Sequence, residues 1–132
     1  MKYSLSQSFR LKSPQAVSAV FMGGTSVRHG CLILHFRIIP ALQTDAQPVR
    51  MAFAVPKRRF KKSVERNYIK RLMRECYRIQ KLNMPNIFPE PMQMHAVLSY
   101  NHNEKPNYEM VMKDMTQILQ KTVLKINAIH NI

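Results

Sequence analysis

Three short stretches with two-residue hydrophobic alternation, interleaved with helical stretches in the order helix, strand, strand, helix, strand, helix, predict an α+β fold. The expected architecture is a two-layer α/β sandwich, one mainly antiparallel sheet with helices packed on it, mostly on one face. The chain has 132 residues and is 45% hydrophobic, enough for one domain with its own core and too apolar for a disordered polycation. A single domain over 1–132 is expected, with residues 1–12, including Tyr3, Phe9 and Arg10, as an arm before the first helix.

The first helix opens at Ser13 as N-cap with Pro14 at its first position, and Gly23 and Gly24 close it. Val17, Val20 and Phe21 share a face. From Cys31 to Ile39 the period becomes two: Leu32, Leu34, Phe36 and Ile38 fall on one side, and Cys31, Ile33, His35, Arg37 and Ile39 on the other. In the next strand Val49, Met51, Phe53 and Val55 oppose Arg50, Ala52 and Ala54, after a polar, proline-bounded loop that suits two antiparallel strands. Pro56 ends that strand, and Ser63 caps a helix running to about Lys81. A third strand is expected from Met92 to Tyr100, with Met94, Ala96 and Leu98 on one face and His95 on the other. Asn107 then caps a long helix whose apolar stripe is Val111, Met115, Ile118, Leu119, Thr122 and Ile126.

Charge narrows the class of partner. There are 21 Lys and Arg against 7 Asp and Glu, a net charge of +14, which asks for a polyanion. Eleven of the basic residues fall between Lys57 and Lys81, with only Glu65 and Glu75 as acids, so a net +9 is concentrated there. On a helical wheel Val64, Tyr68, Leu72, Cys76 and Ile79, with Ile69 at the edge, form the expected packing face. Arg66, Lys70, Arg74 and Lys81 lie opposite, flanked by Asn67, Arg71 and Arg78. The ladder Arg66, Lys70, Arg74, Arg78 repeats like charge at i, i+4, which repels by a few tenths of a kcal/mol per pair; an external anion relieves it. The opposite face lacks the Trp and Phe wedge of an interfacial helix, so nucleic acid is favoured over a membrane surface. A DNA recognition helix needs a preceding helix and turn, whereas a strand and a basic linker precede this one, so no DNA partner is expected.

The stretch KRRFKKSVERNYIKRLMRECYR resembles the signature helix of the bacterial ribonuclease P protein subunit, in which a Lys-Lys pair after a strand leads into Arg-Asn-Arg, Lys-Arg and Arg-Glu. LKSPQAVSAVFMGGTSVRHG resembles the family's N-terminal helix with its Gly-Thr-Ser end. The resemblance covers nearly the whole chain, strongest from Arg50 to Arg78 and weakest in the last strand and helix. It implies a ribosomal-protein-like sandwich with a left-handed βαβ crossover. It also implies the protein subunit of an endoribonuclease, enzymatic only as part of the holoenzyme, with cleavage of precursor tRNA left to the RNA subunit and its Mg²⁺, and no metal held by the protein. Lys57 and Arg58 match the Lys-Lys pair. The matching catalytic-RNA contacts are Arg66, Asn67, Lys70, Arg71 and Arg74, with Arg59, Lys61, Lys62 and Arg78 completing the basic surface. The cleft for the single-stranded 5′ leader corresponds to Val17, Phe21, Ile33, His35 and Arg37. Three positions depart from the family pattern: Tyr68 replaces the second Arg of Arg-Asn-Arg, and Val17 and His35 replace cleft aromatics. The competing class is a ribosomal or other structural RNA-binding protein, which lacks a single-strand cleft.

Other chemistry finds little support. Asp45, Glu90 and Glu104 stand in expected loops without a motif, and Glu65 and Glu75 read as dipole or ion-pair residues. His29, Cys31 and His35 invite a metal, but Cys31 and His35 are roughly 13 Å apart along a strand, and zinc wants four ligands. The ten methionines read as adaptable core filler, and Cys31 and Cys76 as reduced thiols. No stretch approaches the roughly 20 apolar residues of a membrane span, and MKYSLSQSFRLKS lacks a signal peptide's apolar block, so a cytoplasmic protein is expected.

Overall fold

A computed structural model describes residues 11, 13–39, 49–83 and 93–130, the side chains of 83, 129 and 130 excepted. The elements are α1 (Pro14–Gly23), β1 (Thr25–His29), β2 (Leu32–Ile39), β3 (Val49–Ala54), α2 (Ser63–Asn83), β4 (Gln93–Tyr100) and α3 (Tyr108–His130). The expected loops with Asp45 and Glu90, Met92, and the arm apart from Leu11 lie outside the described residues.

The four strands form one sheet in the order β1-β2-β4-β3. β1 and β4 run antiparallel to β2, while β3 runs parallel to β4, so β3-α2-β4 is a βαβ unit. The sheet is therefore mainly antiparallel. The strand β1 is one that the sequence reading did not supply. Of its five residues only Val27 is buried, so an edge strand with one apolar side chain leaves almost no periodic signal.

Alternation fixes which side chains meet which helices. Leu32, Leu34, Phe36, Met51, Met94, Ala96 and Leu98 point into the main core, together with Ile69, Met73, Cys76 and Tyr77 of α2 and Val111, Met115, Ile118, Leu119 and Ile126 of α3. The α3 stripe is fully buried as its spacing predicts, each large apolar side chain contributing roughly 1.5–3 kcal/mol. Thr122, buried in the same stripe, satisfies its hydroxyl on the Ile118 carbonyl at 2.7 Å.

α1 occupies the opposite face of the sheet. Val20 packs with Leu11 and Val97, flanked by Ala16, Val17, Ala52 and Ala54. Ser13 Oγ accepts the Ala16 N–H at 3.3 Å, the N-cap its sequence foretells, with Pro14 at the first turn. At the other end a Cβ on Gly24 would collide with the carbonyl oxygens of Val20 and Phe36, so the absence of a side chain lets the helix end sit directly on β2. Leu11 donates its N–H to the Met51 carbonyl at 3.1 Å, which pins the end of the arm to β3.

α2 packs through a different stripe from the one its spacing suggests. The buried residues are Ile69, Met73, Cys76, Tyr77 and Gln80, an arc turned by about one residue, roughly 100°. Val64 and Tyr68, expected in the core, are 77% and 45% exposed. Both arcs are comparably apolar, and the partners decide between them. The Tyr77 ring meets Phe53 edge-on at 6.0 Å. The Gln80 amide donates to Thr116 Oγ1 at 2.6 Å, tying α2 to α3.

Candidate nucleic-acid interface

The basic segment starts in the turn after β3. Arg59 and Phe60 donate their N–H groups to the Pro56 carbonyl, and Phe60 is buried with its ring 5.9 Å from that of Tyr100. Anchored there, the turn exposes Lys57, Arg58, Lys61 and Lys62. Arg59 turns the other way: Nη2 donates to Asn101 Oδ1 at 2.6 Å and Nη1 to Asn103 Oδ1 at 2.8 Å. Its guanidinium clamps the turn to the segment that follows β4. Arg66 also faces inward, donating through Nη1 to the Phe60 and Lys61 carbonyls at 2.8 and 2.7 Å. Those bonds hold the lysines of the turn at the start of α2.

The rotated stripe redistributes the rest of the ladder. Arg74 lies 5.7 Å above the Phe53 ring, a cation–π contact at the β3 edge. Arg78 Nε donates to Glu75 Oε2 at 3.0 Å, and that bond holds the Glu75 carboxyl below the usual range. Burial lowers the Lys81 ammonium, which stands 5.9 Å from the Tyr77 ring. The surface of α2 nearest solvent thus carries Val64, Asn67, Tyr68 and Arg71. An open groove of about 480 Å³ runs along it, lined by Val64, Asn67, Lys70, Arg71 and Arg74. The expected packing and binding faces are not diametrically opposed: the cations form one flank of a partly apolar outer face.

A second surface lies on the sheet beside α1. The Phe21 ring is half exposed and sits 4.8 Å from the His35 ring. Arg37 is on the same face two residues on, while Ile33, 8% exposed, is buried beneath it and Val17 is taken up in packing α1. Of the five expected cleft residues, Phe21 is exposed, Val17, His35 and Arg37 are partly exposed, and Ile33 is buried. The register adds residues that single-strand reading does not connect: Ser26 pairs with His35 and Arg28 with Ile33, while Arg37, His95 and Arg50 stand side by side across three strands. Burial, and then the charge of Arg28, lower the pKa of His35. The described carboxylates, Glu65, Glu75, Glu104, Glu109 and Asp114, lie on α2, on α3 or in the segment between β4 and α3. Among the described residues this face of the sheet therefore carries cations without acids.

His29, Cys31 and His35 do not converge on a metal position. Among the described residues no three His, Cys, Asp or Glu side chains cluster as metal ligands. Cys31 is buried, and desolvation followed by its Asp114 neighbour pushes the thiol up to about 12.

Two basic surfaces on a small α+β sandwich, one on the turn and outer face of α2 and one on the sheet beside α1 where Phe21 is half exposed, define a nucleic-acid-binding protein. The sequence model of the Ribonuclease P family matches residues 5–123. The chain belongs to that family, whose members serve in tRNA processing as the protein component of a ribonucleoprotein. It is 28% identical over 128 residues to the ribonuclease P protein component of Porphyromonas gingivalis, covering 94% of this chain and 87% of that one. With the same component of Chlorobaculum tepidum identity rises to 41% over 71 residues, spanning 53% of this chain and about half, 46%, of the relative. The fold matches the RNase P protein of Thermotoga maritima with a TM-score of 0.65 at 19% identity, covering 85% and 96% of the two chains. For the Staphylococcus aureus protein the TM-score is 0.64 at 16% identity, covering 86% and 94%. Among the described residues no helix is long and apolar enough to cross a membrane.

Proposed function

We propose that this chain assists the removal of the 5′ leader from precursor tRNA in the cytoplasm, with the RNA subunit and its Mg²⁺ performing the phosphodiester cleavage and DNA playing no part. The turn and outer face of α2 neutralise phosphates of the catalytic RNA through Lys57, Arg58, Lys61, Lys62, Lys70 and Arg71. The sheet face binds the leader: Phe21 and His35 offer π faces to unstacked bases, and Arg28 and Arg37 meet the backbone. The observation that carries this reading is the contact of half-exposed Phe21 with His35 on a face without described carboxylates. A single strand needs that combination of stacking platform and cationic track.

The experiment is precursor tRNA cleavage by the RNA subunit at low Mg²⁺, with and without the protein. The expected result is stimulated cleavage at the mature 5′ end. No stimulation, or equal stimulation for a substrate whose leader is cut back to a single nucleotide, overturns the reading.

A further inference from the structure

The outward placement of Val64 and Tyr68 is unusual for a surface devoted to phosphates. The two lie one turn apart on α2, 77% and 45% exposed, while the turn below presents Lys61 and Lys62 and the same helix face presents Asn67 and Arg71. Among the described residues Tyr68 makes no hydrogen bond, ring contact or ion pair. Phosphate oxygens gain nothing from an isopropyl group and a phenol ring, whereas a nucleobase has an apolar face that stacks on an aromatic ring and polar edges that an amide such as Asn67 pairs with. The surrounding lysines and arginine supply the complementary charge for the backbone on either side of such a base.

We infer that Tyr68, backed by Val64, is a stacking platform for one unpaired nucleobase of the catalytic RNA subunit. This position, where the family motif places an arginine, then exchanges a phosphate contact for a base contact. The inference rests on the proposed assignment of α2 to the catalytic RNA. It predicts an affinity contribution independent of salt, since stacking releases no counterions.

The sequence contains no tryptophan, so Tyr68→Trp installs a single reporter. Its emission should be quenched on saturation with the RNA subunit alone. Tyr68→Ala should lose roughly 5- to 150-fold in affinity for that RNA with the slope of log K against log salt unchanged, while Tyr68→Phe keeps wild-type affinity. Tyr68→Arg should steepen the slope by roughly 0.7–0.9. Unquenched tryptophan, quenching that appears only when precursor tRNA is added, Tyr68→Ala binding within twofold of wild type, or an equal loss in Tyr68→Phe each overturns the inference. A wild-type chain that fails to bind the RNA defeats the assigned partner as well, whereas tight wild-type binding with an indifferent residue 68 defeats this inference alone. Because the side chain is exposed, matching thermal melts verify that the variants fold.

Discussion

Asp114 on α3 accepts the backbone N–H of Cys31 at 3.0 Å, 83 residues away, and its carboxylate fills the space where Gly30 has no side chain. Gly30 has φ +55°, the left-handed conformation that turns β1 into β2. The turn and the helix are thereby fitted to each other: the glycine permits both the backbone shape and the approach of the carboxylate. Gly30→Ala should destabilise the protein by about 1–3 kcal/mol through φ strain and the clash with Asp114. Asp114→Ala should cost about 1–3 kcal/mol by leaving the buried Cys31 N–H without its acceptor. Urea melts of both single variants and the double variant check this. The double should be less destabilised than the sum, because removing the carboxylate removes the clash and leaves only the strain.

Arg59 separates structural cations from binding ones. Arg59→Ala removes both bonds to Asn101 and Asn103 and should lower stability by about 1–2 kcal/mol, whereas Lys57→Ala and Arg58→Ala, at exposed positions, should stay within about 0.5 kcal/mol of wild type. In RNA titrations the order reverses. The two exposed substitutions should each reduce the salt slope by roughly 0.7–0.9, and Arg59→Ala measured well below its melting temperature should leave the slope as it was. A reduced slope for Arg59→Ala would place its guanidinium on a phosphate instead of in the clamp.

The difference between Arg59 and Arg58 marks where the sequence stops being informative. Strand faces were legible because alternation alone decides them: Leu32, Leu34 and Phe36 are buried as a set, and His35 and Arg37 are on the other side. The α3 stripe was legible for the same reason at the helical period. α2 was not, since Val64-Tyr68-Leu72-Cys76 and Ile69-Met73-Cys76-Tyr77-Gln80 are both plausible apolar arcs. Only tertiary partners, Phe53 for Tyr77 and Thr116 for Gln80, choose the second. The candidate site inherits that ambiguity. A run of cations shows that charge is present, but which guanidiniums fold back onto carbonyls, as Arg66 does, depends on the path of the preceding turn. The row Arg37, His95, Arg50 needed the register of three strands, two of them far apart in sequence.

His35 gives the stability a dependence on pH. Its pKa in the fold is lowered, by burial first and by Arg28 second, so the unfolded chain takes up the proton before the folded one does. The contribution of neutral His35 is therefore complete above its unfolded value of about 6.5 and is lost as the pH falls from there through the lower folded value. Urea midpoints measured from pH 7.5 to pH 5 should drop more steeply for wild type than for His35→Gln. Arg28→Ala should reduce the difference between the two curves, since it removes the second cause of the shift. Identical slopes for wild type and His35→Gln would show that the imidazole titrates as it does in the unfolded chain.

Phe21 allows the leader surface to be tested apart from the catalytic-RNA surface. α1 and α2 lie on opposite faces of the sheet, so a substitution at Phe21 leaves the lysines of the basic turn in place. Phe21 is half exposed, and Val20 carries the packing of α1, so Phe21→Ala should fold with little loss of stability. Bound to the RNA subunit, this variant should weaken affinity for precursor tRNA carrying a single-stranded leader by about 1–3 kcal/mol, the worth of one stacked base. Affinity for mature tRNA and for the RNA subunit itself should be unchanged. Phe21→Tyr should bind like wild type, because the π face is kept. A parallel fall in affinity for mature tRNA would show that α1 contacts the tRNA body, and the stacking role of the Phe21–His35 pair would then be wrong.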